Sequence, residues 1–405
     1  MPSHRFPHLS RRLALALPLA GAACALPVRE PPVPRTQTAA ATVLGLPNER
    51  FLPTRDGIAA LDHEFAAAIE RRRAARGGRM SELNLLAVSG GGENGAFGAG
   101  LLTAWTARGD RPAFDLVTGV STGALTAPFA FLGPEWDPGL RDVYTNITLA
   151  DVAASRGLLA ALLDDALADT APLFRTISRH LDERMMEALA RAYREGRLLL
   201  IGSTNLDAQI PVIWNVGAIA ASGHPRALDT IRRVLLASAA IPGAFPPVLF
   251  DVTVGGQSHQ ELHVDGGAVA QAFLYPSAVS ADRRERIRRG QPVMPMRAWI
   301  IRNARLDPEW AAVERRTMGV AGRAISTMIA SSGQNDVLRM WVLAQADRMD
   351  YNLAFIGTDF EVPYERPFDQ GYMRALFAYG EQRMRAGGAW VDRPPALATP
   401  ALPIR

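Results

Sequence analysis

Ser121, in Gly119-Val120-Ser121-Thr122-Gly123, is the side chain best set for chemistry. Leu116 and Val117 lead into it as a buried strand, and Gly123-Ala124-Leu125-Thr126-Ala127 open a helix. A serine on so sharp a strand-to-helix turn exposes its hydroxyl as a nucleophile. Gly119 and Gly123 let neighbouring backbones pass close to it. Upstream, Ser89-Gly90-Gly91-Gly92-Glu93-Asn94-Gly95 follows the apolar segment Leu83 to Val88 and runs into a helix from Ala96 to Arg108. A strand that ends in glycines and enters a helix presents unpaired backbone N–H groups where negative charge is favoured. Such a loop can hold a phosphate or a developing alkoxide.

Gly90, Gly92 and Gly95 also satisfy G-x-G-x-x-G, the dinucleotide fingerprint, and Asp115 stands near the distance at which that fold places its ribose-binding acid. Asp115 begins the next strand, however, whereas a ribose-binding acid belongs at the strand's carboxyl end, where Ser121 stands. The serine reading is therefore preferred. A serine needs a base. None of the seven histidines (His4, His8, His63, His180, His224, His259, His263) has a setting that demands the role. Asp265, in Leu262-His263-Val264-Asp265-Gly266-Gly267, leaves a strand into two glycines and can point at a site across the sheet's carboxyl edge. A carboxylate base at neutral pH requires poor solvation, a raised pKa and a hydrogen bond to Ser121. The rival is a Ser-His-Asp triad using His263 with Asp251 or Asp265.

With these residues the chain resembles the patatin-like phospholipase family, in its bacterial branch. Three ordered blocks carry the resemblance: GGGENG (Gly90 to Gly95), GVSTG (Gly119 to Gly123) and DGG (Asp265 to Gly267). Family-like stretches begin at Ser203, Leu235 and Ala330, so the likeness covers about residues 81 to 390. It implies an α/β protein with a three-layer α/β/α fold and a central, mostly parallel sheet. It also implies a Ser-Asp dyad that cleaves acyl esters of lipids through an acyl-serine intermediate, with no metal or other cofactor. Ser121 would be the nucleophile, Asp265 the base, and the Gly91 and Gly92 amides the oxyanion hole. The family usually has Arg or Lys before the last glycine of the loop, where this chain has Asn94, a neutral amide that brings no positive charge. A second function class is a lipoprotein that binds lipid or a partner with little catalysis.

The 405 residues, 48% hydrophobic and 21% charged, suffice for one large α/β domain. All 44 basic residues are arginine and the net charge is only +4. No zinc or RNA-binding motif accompanies them, so nucleic acid is not expected as a partner. The expected partners are a lipid or acyl-ester substrate and a membrane surface. The clusters Arg71-Arg72-Arg73 and Arg283 to Arg289 read as solvated helix faces.

Residues 1 to 24 read as an export signal, in which Arg5, Arg11 and Arg12 precede an apolar run too short to span a bilayer. The sole cysteine, Cys24, ends it and resembles a lipoprotein lipidation site, although Gly21 stands where a larger apolar residue is usual. A plain secretory signal or twin-arginine export stays open. The expected location is thus the periplasmic face of a membrane, or otherwise a soluble exported form.

Residues 25 to 80 read as a proline-rich tether plus an extension with a helix from Ile58 to Arg76, and 391 to 405 as a disordered tail. Between them the patterning predicts strands at Leu198 to Ile201, Pro211 to Trp214, Arg297 to Arg302 and Tyr351 to Ile356. It predicts helices at Arg175 to Arg194, Ala321 to Ala346 and Gly371 to Arg385. Ile177, Leu181, Met185, Leu189 and Tyr193 form a core-facing stripe, and Ala237 to Pro247 a rigid loop near the site.

Overall fold

The computed structural model describes residues 29–155 and 168–397. The export signal, Cys24 and the last residues of the tail lie outside them. Eleven strands are described: β1 (Arg50–Phe51), β2 (Leu83–Val88), β3 (Leu116–Val120), β4 (Ala154–Ser155), β5 (Ala168–Asp169), β6 (Leu198–Asn205), β7 (Ile210–Asn215), β8 (Val248–Val254), β9 (Gln257–Asp265), β10 (Met296–Arg302) and β11 (Asp350–Phe355). Nine form one sheet with the path β1-β7-β6-β3-β2-β10-β11, and the β8–β9 hairpin adds antiparallel to the carboxyl half of β6. From β6 to β11 along that path every pairing is parallel.

Parallel strands are covered on both faces, so their residues are apolar throughout and alternate between two cores. On β2, Leu86 and Val88 enter one core while Leu85 and Ala87 enter the other. The first core is filled from α2 (Gly95–Arg108) and α3 (Thr122–Leu132), together with α4 (Asp137–Thr145), α6 (Ala171–His180), α7 (Glu183–Arg194), α9 (Ala227–Ser238) and α12 (Gln370–Arg385). Of the other helices, α5 (Leu149–Val152), α8 (Val216–Ala221) and α10 (Ala281–Arg288) are short. The second core takes Leu61 and Ala68 from α1 (Arg55–Ala75) and Val337, Met340 and Ala344 from α11 (Thr317–Ala346). The fold is mixed α/β, with a central, mostly parallel sheet between helices, as the resemblance implies.

Several expectations need correction. The segment before residue 80 is not a loose appendage: β1 extends the sheet beside β7, and Thr42 bridges Thr253. Arg50 is buried against Glu261, with Nη1 2.5 Å from Oε2. Arg72 is also buried rather than solvated, bonding Asp115 at 2.8 Å, while Asp115 accepts the Asn84 N–H at 3.0 Å. Asp115 is thus a structural clamp. Arg283 donates to the Asp347 carbonyl and Arg284 to the Asp347 carboxylate. The tail begins later than 391, since Val391 and Leu353 exchange two backbone hydrogen bonds of 2.9 Å. The single helix expected from Arg175 to Arg194 is two, broken where Asp182 caps the second by accepting the Met185 N–H at 2.9 Å.

Candidate active site

Ser121 stands between β3 and α3 with φ 55° and ψ −128°, a conformation that costs a non-glycine residue of order 1–3 kcal/mol. Surrounding contacts hold it there. Its backbone N–H donates to the Ser238 hydroxyl at 3.0 Å, and Ser238 donates to the Gly202 carbonyl at 2.6 Å. A Cβ on Gly123 would overlap the Val88 carbonyl, and one on Gly119 would meet the Gly123 carbonyl at 2.5 Å. The turn can therefore lie against β2 only with glycines on both sides of the serine.

Asp265 ends β9, where Ser203 of β6 is its register partner. Its backbone N–H donates to the Ala240 carbonyl at 2.9 Å, and its Oδ1 accepts the Gly267 N–H at 2.6 Å. Burial pushes its carboxyl up to about 6, against the opposing pull of the Ser121 hydroxyl and the Gly267 N–H. Asp265 is thus poorly solvated, with a raised pKa that the Ser121 hydroxyl moderates. Gly266 packs on the Gly202 carbonyl at a distance no Cβ would permit.

The glycine loop is clamped from below. Gly90 N–H donates to the Gln271 carbonyl at 2.9 Å, and the Gln271 side chain donates to the Gly267 carbonyl at 2.9 Å, which joins the loop to the turn after Asp265. Asn303 donates through its backbone to the Ser89 hydroxyl at 2.9 Å and through its side chain to the Ser89 carbonyl at 3.0 Å. Gly91, at φ 156°, presses on the Asn303 carbonyl, and Gly95, which opens α2, packs on Thr122 and Tyr144. Neither Gly91 nor Gly92 donates its N–H to an acceptor among the described residues. Asn94 points away to α12, where its Oδ1 accepts the Tyr372 hydroxyl at 2.8 Å.

Ser121 and Gly92 open on an apolar cavity with about 840 Å³ of space free of protein atoms, mouth included. Its walls include Leu125 and Phe129 of α3, Leu173 and Ile177 of α6, Met185 of α7, and Ile241 and Phe245 of the proline-rich loop. The stripe expected to face the core thus faces this cavity in part. His180 also lines it; burial pushes its imidazole pKa down, although the Asp142 carboxylate 3.7 Å away opposes this.

His263 is elsewhere. Its ring is buried between Trp214 and Phe250, Nδ1 bonds the Ser203 hydroxyl at 2.9 Å, and Nε2 bonds Glu261 at 3.1 Å. Asp251 instead accepts from the Gln260 side chain at 2.8 Å. The Ser-His-Asp alternative built on His263 therefore fails: i and i+2 placement put His263 and Asp265 on one strand face, but Ser203 and Glu261 use both ring nitrogens. Ser238, Gln271, Arg302 and Asn303 were not singled out from the sequence, because buried polar supports carry no spacing signal.

Among the described residues, no group of three or more His, Cys, Asp or Glu side chains is arranged to hold a metal, and no helix is long and apolar enough to cross a membrane. None of the curated proteins compared matches the chain. Among solved structures, the crystal structure of VipD from Legionella pneumophila is similar at 12% identity and a TM-score of 0.37, over 77% of this chain and 68% of that one. The family described as patatin-like phospholipase matches residues 86–276, a span that runs from β2 through the glycine loop, Ser121 and Asp265. The chain carries, over residues 86–276, a domain of the patatin-like phospholipase family of lipid acyl hydrolases.

Proposed function

We propose that the protein is a serine acyl hydrolase of phospholipase A or lysophospholipase type, working with a Ser121–Asp265 dyad. The observation that carries this reading is a strained serine that influences a buried carboxyl whose pKa is raised to about 6, on the wall of an apolar cavity. The cavity takes the acyl chain. Ser121 Oγ attacks the ester carbonyl carbon while Asp265 accepts the hydroxyl proton, and the carbonyl oxygen becomes the oxyanion of a tetrahedral intermediate. The N–H groups of Gly91 and Gly92 face that charge. Collapse breaks the ester bond, Asp265 returns its proton to the leaving alcohol, and the acyl group stays on Ser121. Water then attacks the acyl-serine with Asp265 again as base, releasing the fatty acid and restoring the serine.

The substrate is met at a lipid surface. Residues 319–331 of α11 project from the fold almost wholly exposed, with Met328 at 70%, and Trp310 in the preceding loop is 83% exposed. From Arg315 to Asn335 there are three arginines and no acid, a pattern suited to anionic headgroups. Met328 shares a surface cleft with Val269, which follows Asp265 closely in the chain. Export with lipidation at Cys24 would hold the site at such a surface.

The test is fatty-acid release from mixed phospholipid vesicles, with a short chromogenic ester in parallel, comparing wild type with Ser121→Ala. Release that vanishes in the variant supports the phospholipase. Hydrolysis of the short ester alone restricts the enzyme to soluble esters, and activity on neither leaves a lipid-binding protein.

A further inference from the structure

Arg302 closes β10 beneath the glycine loop, 2% exposed. Among the described residues it forms no ion pair, and its Nε has no hydrogen-bond partner. The carboxylate that influences it, Asp336, is already engaged by Arg339 and by the Gln271 N–H at 2.6 Å. Burying a cation without a paired anion costs several kcal/mol, so a charge there needs a reason. The fold also makes room for it: a Cβ on Gly333 of α11 would collide with the guanidinium.

Its contacts point at the loop. Nη1 lies 3.4 Å from the Ser89 hydroxyl and 3.5 Å from the Gly90 carbonyl, which also accepts the Ser89 hydroxyl at 2.7 Å. The chain has no cis peptide bond among the described residues, so the N–H of Gly91 points opposite to the Gly90 carbonyl, away from Arg302. A cation at the carbonyl end polarises that peptide and strengthens its N–H as a donor in a low-dielectric site. It also lowers the energy of negative charge on the far side.

We propose that Arg302 is a positioning residue of the oxyanion hole: from beneath the Gly90–Gly91 peptide it fixes the direction of the Gly91 N–H and supplies the positive charge that Asn94 does not bring to the loop. This rests on the reading of Gly91 and Gly92 as oxyanion donors. Its role is exerted in the transition state, so it acts on turnover and on tetrahedral adducts rather than on ester binding.

The experiment compares wild type, Arg302→Met and Arg302→Lys for kcat and KM on one chromogenic ester, and for inhibition by a trifluoromethyl ketone that forms a tetrahedral oxyanion on Ser121. Arg302→Met should lower kcat roughly 10- to 100-fold, weaken the ketone by a similar factor and leave KM within about twofold. Arg302→Lys should recover most of both losses. Should Arg302→Met fail to fold, Gly333→Ala, which displaces the guanidinium, must lower kcat and ketone affinity together. Wild-type kcat and ketone affinity in Arg302→Met, or in Gly333→Ala where it stands in, overturns the proposal, as does an Arg302→Lys no better than Arg302→Met. A wild-type enzyme that neither hydrolyses the ester nor binds the ketone overturns the underlying function as well, which separates the two failures.

Discussion

The backbone N–H of Ser121 donates to the hydroxyl of Ser238 at 3.0 Å, so the last turn of α9 holds the serine turn from across the sheet edge. Ser238→Ala would orphan that buried N–H and the Gly202 carbonyl together, at a cost of about 1–3 kcal/mol. The strained φ at Ser121 would lose its tie, and kcat should fall roughly tenfold with a smaller change in KM. Urea denaturation beside steady-state kinetics checks both, and a variant with unchanged stability would remove Ser238 from this role.

In the proposed mechanism Asp265 sets the pH response. As base it must be ionised, so kcat/KM should rise with pH through an apparent pKa near 6 and level off above about 7. Its folded pKa lies above the unfolded value of 3.8, so the folded state holds the extra proton; this contribution to stability is complete below about pH 4 and is lost as pH rises through 6. Asp265→Asn removes the ionisation. It should abolish turnover and yet raise stability at pH 8 by up to about 3 kcal/mol, a gain absent at pH 4. Thermal unfolding at the two pH values reads this directly, and an Asp265→Asn protein less stable than wild type at pH 8 contradicts it.

His263 belongs to the scaffold. Removing its ring leaves the Ser203 hydroxyl and Glu261 short of a partner inside the Trp214 and Phe250 cluster. His263→Ala should cost about 2–4 kcal/mol of stability. The activity of the folded fraction should stay within about threefold of wild type, where a triad would lose about 10⁴-fold or more. Active-site titration with a serine-directed phosphonate counts the folded sites and makes the comparison fair.

Chain-length preference should reside in the cavity wall. Ile177→Trp fills space that an acyl chain would occupy, and one or two methylenes of fit are worth roughly 10- to 200-fold in selectivity. Long-chain esters should lose activity while acetate esters keep it. A uniform loss across chain lengths would instead mean that the variant disturbs Ser121.

The parts legible in the sequence were those with a short period or a steric demand. The parallel strands appear as apolar runs, and Gly119, Gly123 and Gly266 are glycine because another backbone stands where a side chain would. Ser121 and Asp265 followed from their positions at strand ends. What escaped was what depends on contacts distant in sequence: Arg72 looks like a surface arginine until Asp115 is brought to it, and Arg302 looks like the end of a strand until Ser89 and Gly333 close around it. The β8–β9 hairpin was missed because, although β8 alternates buried Val248, Phe250, Val252 and Val254 with polar Asp251 and Thr253, the buried positions of β9 are His259, Glu261 and His263, of which Glu261 and His263 find partners in the distant Arg50 and Ser203.

The matched span ends at residue 276, while β10 and β11 lie beyond it and β1 lies before it. An excised fragment of residues 86–276 would therefore leave β2 as a raw edge, its backbone unpaired on one side, one apolar face without α1 and α11 and the other core without α12. Such an edge invites pairing between copies, so the fragment should aggregate rather than fold. The stretch by which the family is recognised is thus smaller than the smallest piece that can stand alone, and soluble truncations should keep residues from about 40 to 391.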